Sequence, residues 1–384
     1  MKAALRWYLP LVIVVATLNL RPALLTLGIV LPAVQRSLQL SPAGAGALTA
    51  LPIFALGFAS AIAVPIGRRL GWCGGLVFAL VLIGLGTLLR STGSSVALYA
   101  GALTLGIGIG LGNVYVPTLV KARLATRIGL AMGVYAMMLT IGALLSASLT
   151  PMLFVHFADW RPTLAVWAIP AFVAALIALP LLVDNLRPQE RIAGMGLWRN
   201  GLAWAVSTYM GLQSGMFYGL ALWLGTLIAA RGQSLHDVAA DLTIFYFTQF
   251  IAALITPILL TKTHRQDILA VLVAGSNGAL IVVILYGPLS MTFAFCGLLG
   301  FAIGALFAVA LTFQVIRART TDGAARLSSM ALCVGYIIAS LGPLVLGLVN
   351  RMADARLAST IWLLVLIVAT MIAGSFAGRR RFVD

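Results

Sequence analysis

Apolar runs of about 20 residues, long enough as helix to cross roughly 30 Å of hydrocarbon, recur along this chain from one end to the other. Short polar gaps separate them. The runs are continuous, whereas the strands of a membrane barrel would alternate over about ten residues. The pattern therefore predicts helices. Twelve spans are read, at 7–31, 44–66, 73–90, 97–119, 128–151, 161–183, 201–228, 239–260, 267–286, 290–316, 327–349 and 357–377. The longest gap, DNLRPQERIAGMGLWRN at 184–200, is also the most polar, and six spans lie on each side of it. The expected architecture is an all-α polytopic membrane protein with domains at 1–183 and 201–384, joined by a linker at 184–200.

A weak internal repeat follows the same division. Span 2 runs ALTALPIFALGFASAIAVP and span 8 runs DLTIFYFTQFIAALITP, so Leu48-Thr49 and Leu242-Thr243 open similar stretches that end near Pro65 and Pro257. Span 5 follows Arg127 with a glycine-rich run and Tyr135; span 11 follows Arg326 with a similar run and Tyr336. Two related six-helix halves mark transporters whose halves move about a site near the bilayer midplane. Small residues four apart let helix backbones approach closely. They occur as Gly106/Gly110 and Gly108/Gly112 in span 4, Gly129/Gly133 in span 5, Gly300/Gly304 in span 10 and Ala331/Gly335 in span 11. The glycines of span 4 do not form GxGxxG and follow no strand, so they are not a nucleotide site.

Composition agrees with this picture. The chain of 384 residues is 62% hydrophobic and only 9% charged. Its net charge of +16 would suit nucleic acid if the cations formed one patch. Instead they are distributed by gap. The termini and even-numbered gaps carry most of them, from Lys2 and Arg6 through Arg68, Arg69, Lys121 and Arg123 to Arg379, Arg380 and Arg381. The odd gaps carry Arg36, Arg90, Arg161, Arg231, Arg351 and Arg356. That bias predicts that both termini and the even-numbered gaps are cytoplasmic. The amino-terminal run mimics a signal peptide, but it continues to Leu31 without a small-x-small cleavage site and is read as a retained helix. Cys73, Cys296 and Cys333 show no metal or CxxC spacing, and no cofactor or metal is expected. Trp7, Tyr8, Trp160 and Trp198 fall near span ends, where aromatic belts form.

Polar residues deep in the spans bear on function. The first span contains LNLRPALL, which places Arg21 mid-membrane followed at once by Pro22. A guanidinium there costs at least about 2.5–3.5 kcal/mol on insertion scales. Pro22 cannot donate to the Leu18 carbonyl, so a bent or loosened helix is expected beside the arginine. All nine acids lie in loops or near span ends, and none of His156, His236 and His264 is mid-membrane. No catalytic constellation is visible, and an enzyme is not expected. A planar, permanently charged fork at a midplane cavity suits an anion or electron-rich polar group; the other reading of Arg21 ties it to backbone carbonyls. Asn113, Tyr135, Gln249 and Tyr336 are the better candidates to line the same cavity, with Gln213, Ser214 and Tyr218 beside them. Gln314 and Asn277 are also deep, Asn277 being the weaker candidate because third helices of such repeats tend to face lipid.

LNLRPALLTLGIVLP, SPAGAGALTALPIFALGFASAIAVPIGRRLG and GIGIGLGNVYVPTLVKAR resemble the cyanate permease/2-nitroimidazole transporter (CynX/NimT) family of the major facilitator superfamily. WRPTLAVWAIPA and LSSMALCVGYIIASLGPLVLG agree with it. The resemblance implies the twelve-helix major facilitator fold with alternating access, in a bacterial inner-membrane protein that moves a small organic or inorganic solute. It also implies that Arg21 and Asn113 contact the substrate. The gating loop between spans 2 and 3 would carry Arg68 and Arg69. VPIGRRLG lacks the acid that usually precedes this basic pair, so a charge-relay role is not carried over. In span 7, WLGT at 223–226 replaces the family's WLP, which leaves the bend there open.

The expected function is secondary transport of a small anionic or polar solute, with Arg21 as charge anchor, by a monomer whose partners are that solute and the bilayer. A multidrug exporter would call for a buried acid. A receptor or scaffold would call for extramembrane domains.

Overall fold

Backbone N–H and C=O groups have no water to bond in hydrocarbon, so a spanning segment closes them within a helix. The computed structural model describes residues 2–184, 186, 196–349 and 354–383, and these residues contain no strand. The helices are α1 (Lys2–Leu18), α2 (Pro22–Leu38), α3 (Pro42–Arg90), α4 (Ser95–Arg123), α5 (Ile128–Phe157), α6 (Trp160–Ala165) and α7 (Ala168–Ala178), then α8 (Gly201–Ala229), α9 (Leu235–Lys262), α10 (Gln266–Tyr286), α11 (Thr292–Ile316), α12 (Thr321–Ala339), α13 (Leu341–Val349) and α14 (Ala355–Ala377). Most of the 184–200 linker lies outside the described residues.

The expected spans map onto this series. Span 1 is divided between α1 and α2, span 6 between α6 and α7, and span 11 between α12 and α13. Spans 2 and 3 run together in α3 because one residue makes the turn: Gly71 has φ 77° and ψ 165°, a conformation open to glycine. The following amide, Trp72 N, donates to the Leu186 carbonyl at 2.8 Å. Among the described residues, nine helices are long and apolar enough to cross a membrane, or ten with the bent pair Gly201–Ala221 and Trp223–Ala229. Counting α3 twice and adding the α12–α13 pair gives twelve. The bent pair turns by 49°, so the bend that WLGT left open is present without a proline, with Gly219 and Gly225 on either side of it.

The chain forms two units. The first is Met1–Ala125 with Met138–Ile192; the second is Thr126–Met137 with Ala193–Asp384. The opening turns of α5 thus pack with the second unit. Inside each unit the glycine pairs bring helix backbones together. In the first, Gly106 and Gly110 of α4 lie on the backbone of Pro52 and Leu56 in α3. In the second, Gly300 and Gly304 of α11 lie on the backbone of Phe245 and Gln249 in α9. At all four positions an added Cβ would collide with a carbonyl oxygen. The same device, glycines four apart against residues four apart, therefore joins span 4 to span 2 and span 10 to span 8. Gly142 of α5 lies against Leu18, and Gly335 and Gly342 lie against Gly211 and Gly215 of α8. That is a second matched pair, span 5 on span 1 and span 11 on span 7.

Several expectations change. Trp160 is not a belt residue: it is 3% exposed and packs with Leu27, Val34, Leu48 and Leu164. Arg90, read as a gap residue, is buried at the end of α3 beside Gly101. Asn277 does not face lipid. It is fully buried, with Nδ2 donating to Val273 O at 2.6 Å, where α10 packs on α14.

Candidate functional site

The break in span 1 starts with proline chemistry. Pro22 has no N–H for the Leu18 carbonyl, so the α-helical pattern stops. Asn19 N bonds Ala16 O at 3.1 Å and Leu20 N bonds Thr17 O at 3.0 Å. These i→i−3 bonds tighten the last turn of α1. Arg21 leaves the helical region with φ −122° and ψ −41° and caps α2, where Pro22 takes the first helical position. Fixed φ and a dispensable N–H make proline suitable there.

Two neighbouring helices hold this break within the first unit. On the α5 side, Gly142 leaves room for the Leu18 carbonyl; an added Cβ would stand 2.6 Å from its oxygen. The Pro22 carbonyl accepts from Thr26 Oγ1 at 2.8 Å and from Ser146 Oγ at 3.0 Å. The two hydroxyls are 2.9 Å apart, and Thr150 Oγ1 reaches Thr26 Oγ1 at 3.5 Å. On the α4 side, a Cβ on Gly112 would meet Leu20 Cδ2 at 2.5 Å. The residue before Arg21 therefore lies on the residue before Asn113. Asn113 is 6% exposed, and Arg21 is half-buried. The structure thus brings Arg21 and Asn113 into one neighbourhood in the first unit, at an interrupted helix.

The remaining candidates are in the second unit, apart from Arg68 and Arg69. Tyr135 is fully buried in the part of α5 that belongs there. Gln213 of α8 donates through Nε2 to Met210 O at 3.1 Å and to Ser214 Oγ at 2.7 Å. Tyr218, one turn further along α8, stacks edge-on with Phe217 at 5.2 Å. Tyr336 follows Gly335 on α12 and is 7% exposed. Gln249 of α9 is 6% exposed, with Nε2 on Phe245 O at 3.3 Å, a bond within its own helix. Arg68 and Arg69 are exposed on the last turn before Gly71. They belong to the helix end, because the connection after them is a single-residue turn.

One feature was not singled out from sequence. The Thr26–Ser146 hydroxyl pair was missed, although Thr26 stands four residues after Pro22 and Ser146 four after Gly142, the spacing of one helix face. Gln314 of α11 is fully buried, and neither amide atom has a hydrogen-bond partner among the described residues. A third finding revises the survey of acids. Asp241 lies in the second turn of α9 and is only 2% exposed, with Oδ2 lacking a hydrogen-bond partner among the described residues.

Apolar spanning helices, paired glycine contacts in two units and an arginine at an interrupted helix define a polytopic membrane transporter. The sequence profile of the Major Facilitator Superfamily matches residues 14–343, and the chain belongs to that superfamily. It is 28% identical over 381 residues to the uncharacterized transporter YycB of Bacillus subtilis (strain 168), covering 98% of this chain and 94% of that one. It is 29% identical over 324 residues to the 2-nitroimidazole transporter of Escherichia coli (strain K12), covering 83% and 82%. It is 27% identical over 369 residues to the cyanate transport protein CynX of the same organism, covering 94% and 95%. The resemblance to the cyanate permease/2-nitroimidazole transporter family is borne out by these relatives. The proton:xylose symporter XylE shares the fold, with a TM-score of 0.79 at 13% identity over 98% of this chain and 96% of that one. As in its relatives, the activity is transport and not catalysis.

Proposed function

We propose that the protein is a secondary transporter for a small anionic or polar solute, working by alternating access in a bacterial inner membrane with both termini in the cytoplasm. Two six-helix bundles, 1–183 and 201–384, move about a site near the midplane, with 184–200 as the cytoplasmic linker. Arg21 anchors the solute by charge, and Asn113 contributes a neutral donor and acceptor beside it. Tyr135, Gln249 and Tyr336, with Gln213 and Tyr218, supply further polar contacts. Arg68 and Arg69 act at the gating turn between spans 2 and 3. The working unit is a monomer.

The observation that carries this reading is the break at Asn19–Arg21. A helix interrupted at mid-membrane is tolerated where the freed backbone is enclosed by protein or lines a cavity. Here it is enclosed from two sides, by Gly112 and by the Gly142–Ser146 face, and it holds the one arginine that sequence reading places deep in a span. A guanidinium so positioned matches oxyanions and electron-rich heterocycles. Two relatives point to the same chemical range, since cyanate is a small anion and 2-nitroimidazole a small polar heterocycle.

The test is solute counterflow in proteoliposomes loaded with unlabelled cyanate, benzoate or 2-nitroimidazole. Accumulation of the labelled solute, absent from protein-free vesicles and from Arg21→Ala vesicles, is the expected result. Equal accumulation by wild type and Arg21→Ala rejects the anchor role.

A further inference from the structure

The carboxyl-terminal residues fold back onto the end of the second unit. Arg317, at the C-cap of α11, is 3% exposed. Its Nε donates to Ala377 O at 2.7 Å, and its Nη2 donates to Gly378 O at 2.9 Å and Gln266 Oε1 at 2.6 Å. Its own carbonyl accepts from Val383 N at 2.9 Å. The guanidinium also lies over the Phe313 ring at 4.7 Å. These contacts hold the fork rigidly and leave Nη1 without a hydrogen bond among the described residues. Arg380 approaches from the tail, exposed, with Nη2 on Thr263 O at 3.1 Å.

Between the two arginines is a cavity of about 420 Å³, lined by Ile128, Thr261, Gln266, Ile316, Arg317, Arg380 and Phe382, all in the second unit. Its size falls within the common range for small-molecule sites, about 300–1,000 Å³. The neutral polar residues in its wall have their donors engaged. Thr261 Oγ1 bonds Pro257 O and Ile258 O, and Gln266 Nε2 bonds Leu260 O. The donors left for a ligand are the arginine forks. Among the described residues no carboxylate lines the cavity, and the nearby Asp267 is drawn toward Arg265, with Oδ1 3.6 Å from its Nε. Burial and the neighbouring Arg380 lower Arg317 to about 10, so it stays charged at neutral pH. Ile128, Ile316 and Phe382 supply apolar lining, and the Arg319 guanidinium lies over the Phe382 ring at 4.9 Å.

Two guanidinium forks from different elements suit an anion with several oxygens better than a single carboxylate. The apolar wall suits an anion attached to a hydrocarbon body. The cavity also lies at the ends of α10 and α11, both long and apolar enough to cross a membrane; near the ends of such helices basic pockets take lipid phosphates. We propose that this cavity binds a phosphate group, carried by an anionic phospholipid or free in solution, and that Arg317 and Arg380 hold it. Occupancy would tie the tail at 379–383 to α10 and α11. This site is separate from Arg21 and does not depend on the transport reading.

The test is thermal unfolding of the delipidated full-length protein in a neutral detergent. It is titrated with short-chain phosphatidylglycerol, with inorganic phosphate, and with short-chain phosphatidylcholine as a zwitterionic control. Phosphatidylglycerol is expected to raise the melting temperature saturably. Arg380→Gln is expected to weaken the apparent affinity about tenfold, the effect of losing one charge-assisted contact of roughly 1.4 kcal/mol. Arg265→Gln, outside the cavity wall, should bind as wild type. Competition by inorganic phosphate identifies a free-phosphate site; no effect of phosphate beside a clear effect of the lipid identifies a headgroup site. A merely structural Arg380 would lower the ligand-free melting temperature and leave the affinity unchanged. That outcome overturns the proposal, as does the absence of saturable stabilisation by either ligand, or equal stabilisation by phosphatidylcholine.

Discussion

Gly142 of α5 faces the carbonyl of Leu18, the group that Pro22 leaves without its helical donor; an added Cβ would stand 2.6 Å from that oxygen. The broken helix and the residue that accommodates it lie on different spans, 124 positions apart (142 − 18). Gly142→Ala must therefore shift backbone, not merely a flexible side chain. Its expected cost is about 1–3 kcal/mol, the usual range for overpacking. Gly28→Ala, where nothing lies within 4 Å of the added Cβ, should be neutral or slightly stabilising, because alanine is the better helix former. Parallel melting curves of the two variants in detergent check this contrast.

The hydroxyls of Thr26 and Ser146 act on one carbonyl. Both reach Pro22 O, and they lie 2.9 Å from each other. Losing either should cost about 1 kcal/mol, the net worth of a typical buried hydrogen bond. Residues sharing a partner do not behave additively. The cycle Thr26→Val, Ser146→Ala and the double variant should therefore show a coupling energy of at least about 0.5 kcal/mol. Strict additivity in chemical denaturation would show that the two hydroxyls work separately.

The matched glycine contacts predict matched sensitivity. Gly106→Leu in the first unit and Gly300→Leu in the second each drive a side chain into the carbonyl side of the opposing helix, at Pro52 and Phe245. Close backbone approach is what these small residues permit. Both variants are expected to lose most of their folded yield in the membrane, and to similar extents. Monodispersity after detergent extraction is the measurement. A normal profile for one of them would break the correspondence between spans 2 and 4 and spans 8 and 10.

Asp241 is buried in α9, with Oδ2 unbonded among the described residues. A carboxylate in that position is expensive to keep charged. Asp241→Asn, which keeps the shape, is expected to raise the melting temperature and to leave solute binding unchanged. Lost binding in a folded Asp241→Asn protein would assign the carboxylate a part in the transport cycle.

The spans were legible because a bilayer imposes length and apolarity on each helix separately, so no long-range information is needed to find them. The break at Arg21-Pro22 was legible for a similar reason: proline acts on its own helix. The glycine pairs predicted close contacts but not their partners, since Pro52, Leu56, Phe245 and Gln249 are set by how helices cross. Periodicity alone did not reveal that Gly71 joins spans 2 and 3 in one turn, because a positive φ has no hydropathy signature. Trp160 and Asn277 are both more buried than a place near a span end or on a third helix suggests. Burial depends on which neighbour covers the residue, as it does for Asp241 near the start of span 8. The Arg317 cluster was invisible in the sequence, because its ligands at 266, 377 and 378 meet only after α10, α11 and α14 have packed.

Ligand-induced stabilisation of wild type, Arg21→Ala and Arg21→Lys, screened against small anions and neutral heterocycles, is the most direct test of Arg21 as the charge anchor. A ligand at 100 times its dissociation constant stabilises by about 2.7 kcal/mol, well within reach of a melting curve. The expected result is an anion that stabilises wild type, stabilises Arg21→Lys less because the planar fork is lost, and has no effect on a folded Arg21→Ala protein. Full stabilisation of Arg21→Ala by the same anion would contradict the account.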